Sequence, residues 1–437
     1  MKKFLAILIC VSLLVGGAFA QAAELTPSVS GWATLSWGID LGPLAFNKNA
    51  VSHGFYNDAS LTVRIPMFTY GTSVSGGSEN KDADVYVVFD ATLPTLTFNT
   101  TYGRLQGTGL GSSLNASLHF FGAYITVYNR PDFGSYFGTA VTNLWADDGT
   151  GVVPLLDTFT PYFDGWGTTI GYANEDILGL DIGLKVGSNT NWERKTTLNP
   201  NLTEPMYALG LDFAMAPVDD FLTIGATFNA LLTTPNKYGA GASVDPMDDG
   251  AKPYFNFGVG LGSAPIDGLD IKLGFDGLWN GGFLWDLGFQ VGYQWLTTGI
   301  YYDGTLNAGI GFHAGPDRDY QMPGVENLGL DLAFNMYDLT HAGTHFNFGS
   351  LIGVSYRADL SDSMWIKPYA NFVMEDAGSF EMAYDVGLEF SPMEKVIIGA
   401  VWNQGAYTPY TWGNGDAIQN DLRNHAGRFV LSLTLEY

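Results

Sequence analysis

In several otherwise apolar segments of this chain, the charged side chains fall on one of the two alternating faces. Asp181 and Lys185 alternate with leucine, isoleucine and valine, and Asp270, Lys272 and Asp276 do the same in a later segment. A dry interior cannot hold so many charges, because burying a charge without a partner is costly. A wide, water-filled lumen would accommodate them. The predicted pore-lining residues are Arg64, Asp181, Lys185, Asp212, Asp270, Lys272, Asp276, Asp331, Arg357, Asp385, Glu389 and Arg428.

Acidic residues dominate the chain. There are 44 Asp and Glu against 19 Lys and Arg, which gives a formal net charge of −25. Nucleic acid, a polyanion, is therefore excluded as a partner. The acidic excess in the pore-lining set favours cations in transit, and acids in exposed loops would also keep those loops soluble.

The elements that would position these charges are amphipathic β-strands. Residues 178–186, 209–215 and 269–276 place apolar side chains on one face and charged ones on the other. The same two-residue period recurs from residue 29 to the end of the chain, with turn residues between segments. Proline followed by an acid at 216–219, 264–267 and 391–394 indicates tight reversals.

Longer irregular stretches separate some strands and predict loops at 129–166, 188–204, 233–252 and 405–424. The first is unusually long and contains several aspartates, so it is either an exposed loop or a constriction folded into the pore. Alternating short and long connections are typical of outer-membrane barrels.

The last eleven residues form one more alternating strand and end on an aromatic residue. Such a strand is similar to the closing strand that the assembly machinery of outer-membrane barrels recognises. The predicted assembly signal consists of Phe429, Leu431, Leu433, Leu435 and Tyr437.

The N-terminus predicts export. Lys2 and Lys3 precede an apolar run that ends in small residues, which indicates a secretory signal peptide over residues 1–20. Cleavage after Ala22 and a retained anchor are the alternatives. The only cysteine, Cys10, lies inside this segment.

A transmembrane antiparallel up-and-down β-barrel over residues 21–437 is the predicted fold. A soluble sandwich has the same period, but the mature length would overfill one sandwich. The segments predict about 18 strands, within a range of roughly 14 to 20. Only five strand segments are recognisable between the turns at 265 and 361. Two turns at the same rim of a barrel must be separated by an even number of strands, so one strand is missing from this interpretation or one of the turns lies at the other rim.

Other motifs are weak. His341 and His345 lack the glutamate of a zinc protease, and the glycines at 107–111 and 258–262 lack the helix and lysine of a phosphate loop, so they favour strand faces. Residues 245–250 favour a solvated turn over a calcium site. Trp279, Trp285, Trp295, Trp365 and Trp402 favour interfacial belts over carbohydrate stacking. We expect no cofactor, no metal and no enzymatic activity.

The first two strands resemble a known family. Residues 31–40 read GWATLSWGID and are followed by His53-Gly54-Phe55 and then by residues 61–66, LTVRIP. This order is similar to the start of the treponemal major outer-sheath and Tpr-type surface proteins. The resemblance implies a spirochaete surface porin with adhesin and antigen roles.

These observations together predict an outer-membrane porin through which small hydrophilic solutes or ions diffuse passively. The alternative is a surface adhesin or antigen that uses the barrel as a scaffold for its loops. The implied partners are outer-membrane lipid, the barrel assembly machinery and small polar solutes, and self-association into a homo-oligomer stays open.

Overall fold

A computed structural model describes most of the chain from residue 27 onward. The described residues are 27–42, 51–68, 85–93, 96–99, 104–107, 114–129, 133, 166–188, 190–191, 196–197, 207–218, 221–232, 254–279, 282–302, 306–318, 320–322, 324–337, 339–340, 347–376, 379–407 and 418–437. The predicted signal peptide and most of the predicted loops lie outside them.

Twenty strands form one closed antiparallel sheet. They are β1 (Ser28–Asp40), β2 (Ser52–Phe68), β3 (Val85–Leu93), β4 (Leu114–Phe120), β5 (Ala123–Asn129), β6 (Trp166–Asn174), β7 (Leu180–Ser188), β8 (Tyr207–Val218), β9 (Leu222–Leu231), β10 (Tyr254–Ile266), β11 (Leu269–Trp279), β12 (Phe283–Tyr293), β13 (Leu296–Tyr302), β14 (Leu306–Ala314), β15 (Leu328–Tyr337), β16 (Asn347–Tyr356), β17 (Met364–Asp376), β18 (Phe380–Met393), β19 (Val396–Gln404) and β20 (Arg428–Glu436).

The sheet is an up-and-down barrel, because each strand pairs with its sequence neighbours and β1 pairs with β20. At the seam Leu35 lies opposite Leu433 and Ser36 opposite Ser432. Closure leaves no sheet edge, so the backbone groups of both terminal strands are satisfied. The barrel prediction is confirmed.

Two hairpins were hidden in the sequence, which is one reason why the structure has more strands than the expected 18. The segment 114–128 is two strands joined at Phe121 and Gly122, both with positive φ. A two-residue hairpin turn of this kind normally carries Asn-Gly or Asp-Gly, so phenylalanine conceals it. The segment 300–312 likewise spans β13 and β14, which supplies the missing sixth strand between the turns at 265 and 361.

Short strands outside the barrel account for one misplaced segment. Of the predicted segment 96–102, the described residues 96–99 do not form a barrel strand. Instead Leu96–Asn99 pairs with Arg104–Gly107 as a separate hairpin. Thr190–Asn191 with Thr196–Thr197, and Ala406–Tyr407 with Ile418–Asn420, are two more such pairs. Ala358–Ser361 follows β16 and pairs with the first residues of β17.

The three proline reversals are bulges rather than turns. Pro217, Pro265 and Pro392 each lie inside the last residues of a strand, where the register shifts. A bulge tolerates proline because the extra residue does not donate to the ladder. The chain reverses immediately afterwards, at Gly268 and Lys395 for example, both with positive φ.

The two rims of the barrel differ. Turns at 121–122, 267–268 and 394–395 define a short-turn rim, whereas the connections 130–165, 189–206 and 232–253 all leave the opposite, long-loop rim. In the described part of the chain, no helix is long and apolar enough to cross a membrane.

The two faces of the sheet also differ. Leu431, Leu433 and Leu435 are 43%, 37% and 42% exposed on the outer face, although they are apolar. On the luminal face, Asn256, Asp276 and Asn335 are fully buried. A small apolar patch lies among these polar residues. It is formed by Ala333, Leu351, Val373 and Ala383, which lie opposite one another on the luminal face of the four adjacent strands β15 to β18. The barrel therefore has an apolar outside and a predominantly polar inside.

Candidate pore wall

The predicted pore-lining residues occupy one face of the sheet. All but Arg357 lie on barrel strands, at positions that alternate with the exposed apolar side chains. Arg357 lies just beyond the end of β16, at the short-turn rim. The strand pattern explains this placement, because successive side chains of a strand point to opposite faces.

The structure distributes these residues into separate clusters rather than one ring. Lys272 pairs with Asp270 on its own strand at 3.1 Å. Asp276 lies opposite Asp286 in the register of β11 and β12, and both are buried. Asn371 donates a hydrogen bond to Asp385 at 3.0 Å.

A row of stacked side chains crosses the wall from β2 to β7. The Arg64 guanidinium carbon lies 4.0 Å from the centre of the Tyr86 ring, which stacks on His119 at 4.3 Å between centroids. Tyr124 follows His119 at 5.7 Å and donates a hydrogen bond to Asp181 at 2.9 Å. Tyr124 can lie flat on the wall because Gly171 has no Cβ, and a Cβ at that position would overlap the Tyr124 ring.

A second cluster holds a residue of the 129–166 segment inside the barrel. Phe133 is fully buried, and the Asn256 amide donates a hydrogen bond to its carbonyl oxygen at 2.8 Å. Lys185 Nζ lies 5.6 Å from the centre of the Phe133 ring and 2.9 Å from Asp212 Oδ1. Gly210 provides the space, because a Cβ there would contact the Phe133 ring. At Phe133 the chain has therefore entered the lumen, as the constriction alternative requires of this residue.

A third cluster, the turn cluster, lies at the short-turn rim. Its members are His313, Asp317, Arg318, Asp331, Arg357, Lys367 and Glu389. Lys367 lies between two carboxylates, Asp317 at 2.9 Å and Glu389 at 2.8 Å, and Arg318 contacts Asp331 at 2.9 Å. The Asp317 bond spans from the connection after β14 to β17. This connection therefore folds inward over the wall.

The turn cluster should survive mild acid. Burial raises the pKa of Asp317, but hydrogen bonds and charge from Lys367 and Arg357 outweigh it and hold the pKa below the ordinary 3.8. A lowered pKa stabilises the folded form above pH 3.8, and this stabilisation is lost only as the pH falls through the lower, folded value. We expect protease cleavage next to Asp317 to stay constant from pH 8 to about pH 4.5 and to rise below pH 3.8. A rise already at pH 5 to 6 would contradict this assignment.

A fourth cluster secures the barrel seam. The Arg428 guanidinium donates to Asp40 at 3.0 Å across the pair of β1 and β20, and His425 Nε2 lies 3.1 Å from the same carboxylate. The His425 Nδ1 accepts from the backbone N–H of Gly427. Beyond the strands, a hydrogen bond from Arg423 keeps the pKa of Asp421 low. These contacts tie the segment before β20 to the first strand.

Several residues of these clusters were not anticipated. Asp317, Arg318 and Lys367 belong to the turn cluster but were not predicted. Asp317 and Arg318 lie in a turn, and periodicity gives no signal for a turn that folds inward. Lys367 was detectable, since it alternates within β17. Phe133 lies in an irregular segment that carries no pattern at all.

The weak motifs are partly outside the described residues. His341, His345 and residues 245–250 cannot be placed. Gly258, Gly260 and Gly262 alternate along the luminal face of β10, as a strand face predicts. Within the described ranges, no group of three or more His, Cys, Asp or Glu could hold a metal ion.

The tryptophans divide between the two faces. Trp279 and Trp285 are outward and more than 40% exposed, as belts require. Trp365 is different, because it shares the luminal row of Lys367 and lies under Arg357, 4.9 Å from its guanidinium carbon. The belt interpretation is wrong for Trp365.

An apolar outer face, a predominantly polar luminal face and complete closure define an outer-membrane-type, porin-like β-barrel. Residues 99–277 match the family model described as the Major Outer Sheath Protein N-terminal region. This match confirms the resemblance to the treponemal major outer sheath protein family. The matched region runs through β4 to β11, so it belongs to the same closed sheet as the C-terminal strands.

Comparison with solved structures finds porins. A triple mutant of Rhodopseudomonas blastica porin is 10% identical, with a TM-score of 0.35, and the match covers 94% of this chain and all of the porin. Another mutant of the Rh. blastica porin has the same identity and coverage with a TM-score of 0.34. Among curated proteins, none is significantly similar in sequence.

Proposed function

We propose that the protein lies in the cell outer membrane and lets small hydrophilic solutes diffuse passively through its lumen. The observation that supports this function is the division of the closed sheet into an apolar outer face and a charged inner face. Lipid would meet the first and water the second. The proposal includes no catalytic step, no cofactor and no nucleic-acid partner.

The proposed pore prefers cations. Acidic residues outnumber Lys and Arg on the luminal face, and several of them lie where β11 to β18 line the lumen. Rings or clusters of carboxylates favour cations in channels. The acidic residues on these strands are Asp270, Asp276, Asp286, Asp331, Glu375, Glu381, Asp385 and Glu389, against Lys272 and Lys367. The turn cluster adds Asp317, Arg318 and Arg357, so the acidic excess remains.

A pair of neighbouring residues tests this preference. Asp270 and Lys272 lie on the luminal face of β11 and both remain accessible, with 47% and 25% of their side chains exposed. Asp270→Asn should lower the cation preference, and Lys272→Gln should raise it by a similar amount. The measurement is the reversal potential of reconstituted protein under a potassium chloride gradient.

The direction of the two changes decides the result. Wild-type protein should give a reversal potential of the sign that favours potassium, with the two variants displaced to opposite sides. Anion preference in the wild type would refute the proposed selectivity, and bilayers that stay silent at high protein load would refute the pore itself.

The proposed partners follow from the same surfaces. Membrane lipid would contact the outer face, and the barrel assembly machinery would bind the terminal strand β20, whose Leu431, Leu433 and Leu435 point outward. Assembly into oligomers would use the same outer face. Phe429→Ala with Tyr437→Ala, which keeps the backbone of β20 and its pairing, should reduce insertion if this strand is the signal.

Adhesion is the second candidate function, and one observation favours it. The connections 130–165, 189–206 and 232–253 leave the same rim. Loops gathered at one end of a rigid scaffold commonly carry binding functions. Deleting residues 189–206 should then abolish binding to host ligands while conductance persists. Equal binding by the deletion variant would exclude this segment as the adhesive surface.

A further inference from the structure

Five members of the turn cluster, Asp317, Arg318, Asp331, Lys367 and Glu389, line a cavity that has no counterpart in the sequence prediction. The inward-folded connection at 315–318 and the luminal face of β15 to β18 bound a space of about 430 Å³. Small-molecule sites typically occupy about 300 to 1,000 Å³. The cavity is thus large enough for a small solute that travels through the lumen.

The charges around this cavity are mutually satisfied. Arg318 pairs with Asp331, and Lys367 pairs with both Asp317 and Glu389. A charged ligand would have to separate these pairs, which costs free energy because the groups are partly desolvated. A neutral ligand with hydroxyl groups could instead use remaining lone pairs and N–H groups without breaking a pair.

The cavity also contains a flat aromatic surface. Tyr369 lines it, and a Cβ at Gly387 would overlap the Tyr369 ring, so one ring face lies directly on the wall. A ligand in the cavity would therefore meet the ring from its other side. Asn371, two residues along the same luminal row, adds a side-chain amide.

We propose that this cavity is a binding subsite for neutral saccharides. A sugar ring would stack on the free face of Tyr369 while its hydroxyl groups bond Asn371, Glu389 and Lys367. This inference rests on the proposed porin function and names the class of solute that the lumen would favour. A polypeptide or an ion lacks the combination of a flat apolar face and an equatorial set of hydroxyl groups.

The test is block of the ion current by sugar. Glucose, maltose and maltotriose are added to wild-type protein in planar bilayers, and triglycine, a zwitterion, is the comparison solute. We expect sugar to reduce the current in a saturable way and triglycine to have little effect. Tyr369→Ala should weaken the sugar block about tenfold, the loss expected for one aromatic contact, whereas Tyr369→Phe should retain it.

Tyr124→Ala is the matched control. Tyr124 also lies flat over a glycine of the lumen wall, but in a different cluster, so its removal should leave the apparent dissociation constant for sugar unchanged. Equal loss of block in both tyrosine variants, or none in Tyr369→Ala, would overturn the subsite.

The two proposals fail in different ways. Conducting wild-type channels that no sugar blocks would refute the subsite and leave the pore standing. Silent bilayers would refute the pore, and calorimetry of sugar binding to detergent-solubilised protein would then decide the subsite. A heat of sugar binding that is lost in Tyr369→Ala would support the subsite, and no detectable heat of binding in the wild type would overturn it.

Discussion

Leu273→Arg should destabilise the barrel by about 2–4 kcal/mol, the cost of placing arginine near the middle of a lipid-facing strand. Leu273 lies near the centre of β11 on the outer face and is 39% exposed. Its register neighbours Leu261 and Phe289 are outward and exposed as well, so an arginine here has no polar partner on the same face.

Lys272→Arg is the control for this substitution. It introduces the same side chain one residue earlier, on the luminal face, where it replaces a cation that already pairs with Asp270. Unfolding in urea with reconstituted protein should give a free energy close to the wild-type value. Equal destabilisation by both arginines would show that the two faces of β11 do not differ in environment.

Phe133→Ala should expose Lys185 to water. Phe133 is fully buried against the lumen wall, and truncating a buried phenylalanine typically costs about 3–5 kcal/mol. That loss should free the Phe133 backbone from Asn256 and uncover Lys185, which is only 4% exposed in the folded protein. The measurement is mass spectrometry after labelling with a water-soluble amine reagent.

The labelling experiment contains its own reference. Lys272 has 25% of its side chain exposed and lies opposite Gly262, six residues along β10 from the Asn256 that binds Phe133, so its labelling should be the same in all variants. Phe289→Ala, which removes an outward phenylalanine, should leave Lys185 protected. If Lys185 stays unreactive in Phe133→Ala, Phe133 does not cover it.

Strand periodicity made the two faces of the barrel predictable. Asp181 and Lys185, or Asp270 and Lys272, alternate with leucine and isoleucine so regularly that only one face could carry the charges. Hairpin positions were less predictable. Phe121 takes a positive φ that phenylalanine rarely adopts, so no turn residue other than Gly122 marks that reversal.

The contents of the lumen were beyond the reach of periodicity. The contact of Asp317 with Lys367 joins residues 50 positions apart, and Asn256 binds Phe133 across 123 positions. Such contacts depend on how turns and loops fold back over the wall, which local patterns do not encode. The family resemblance was inferred from residues 31–40 and 53–55, whereas the family model matches residues 99–277, further along the chain.

Single cysteines on neighbouring residues of β20 test the central claim most directly. In a Cys10→Ala background, which removes the only cysteine, Ser432→Cys would lie in the lumen and Leu433→Cys on the outer face. A charged, water-soluble thiol reagent should label Ser432→Cys and lower the channel current, and it should leave Leu433→Cys unlabelled in the membrane. Labelling of Leu433→Cys with protection of Ser432→Cys would contradict a barrel with lipid outside and water inside.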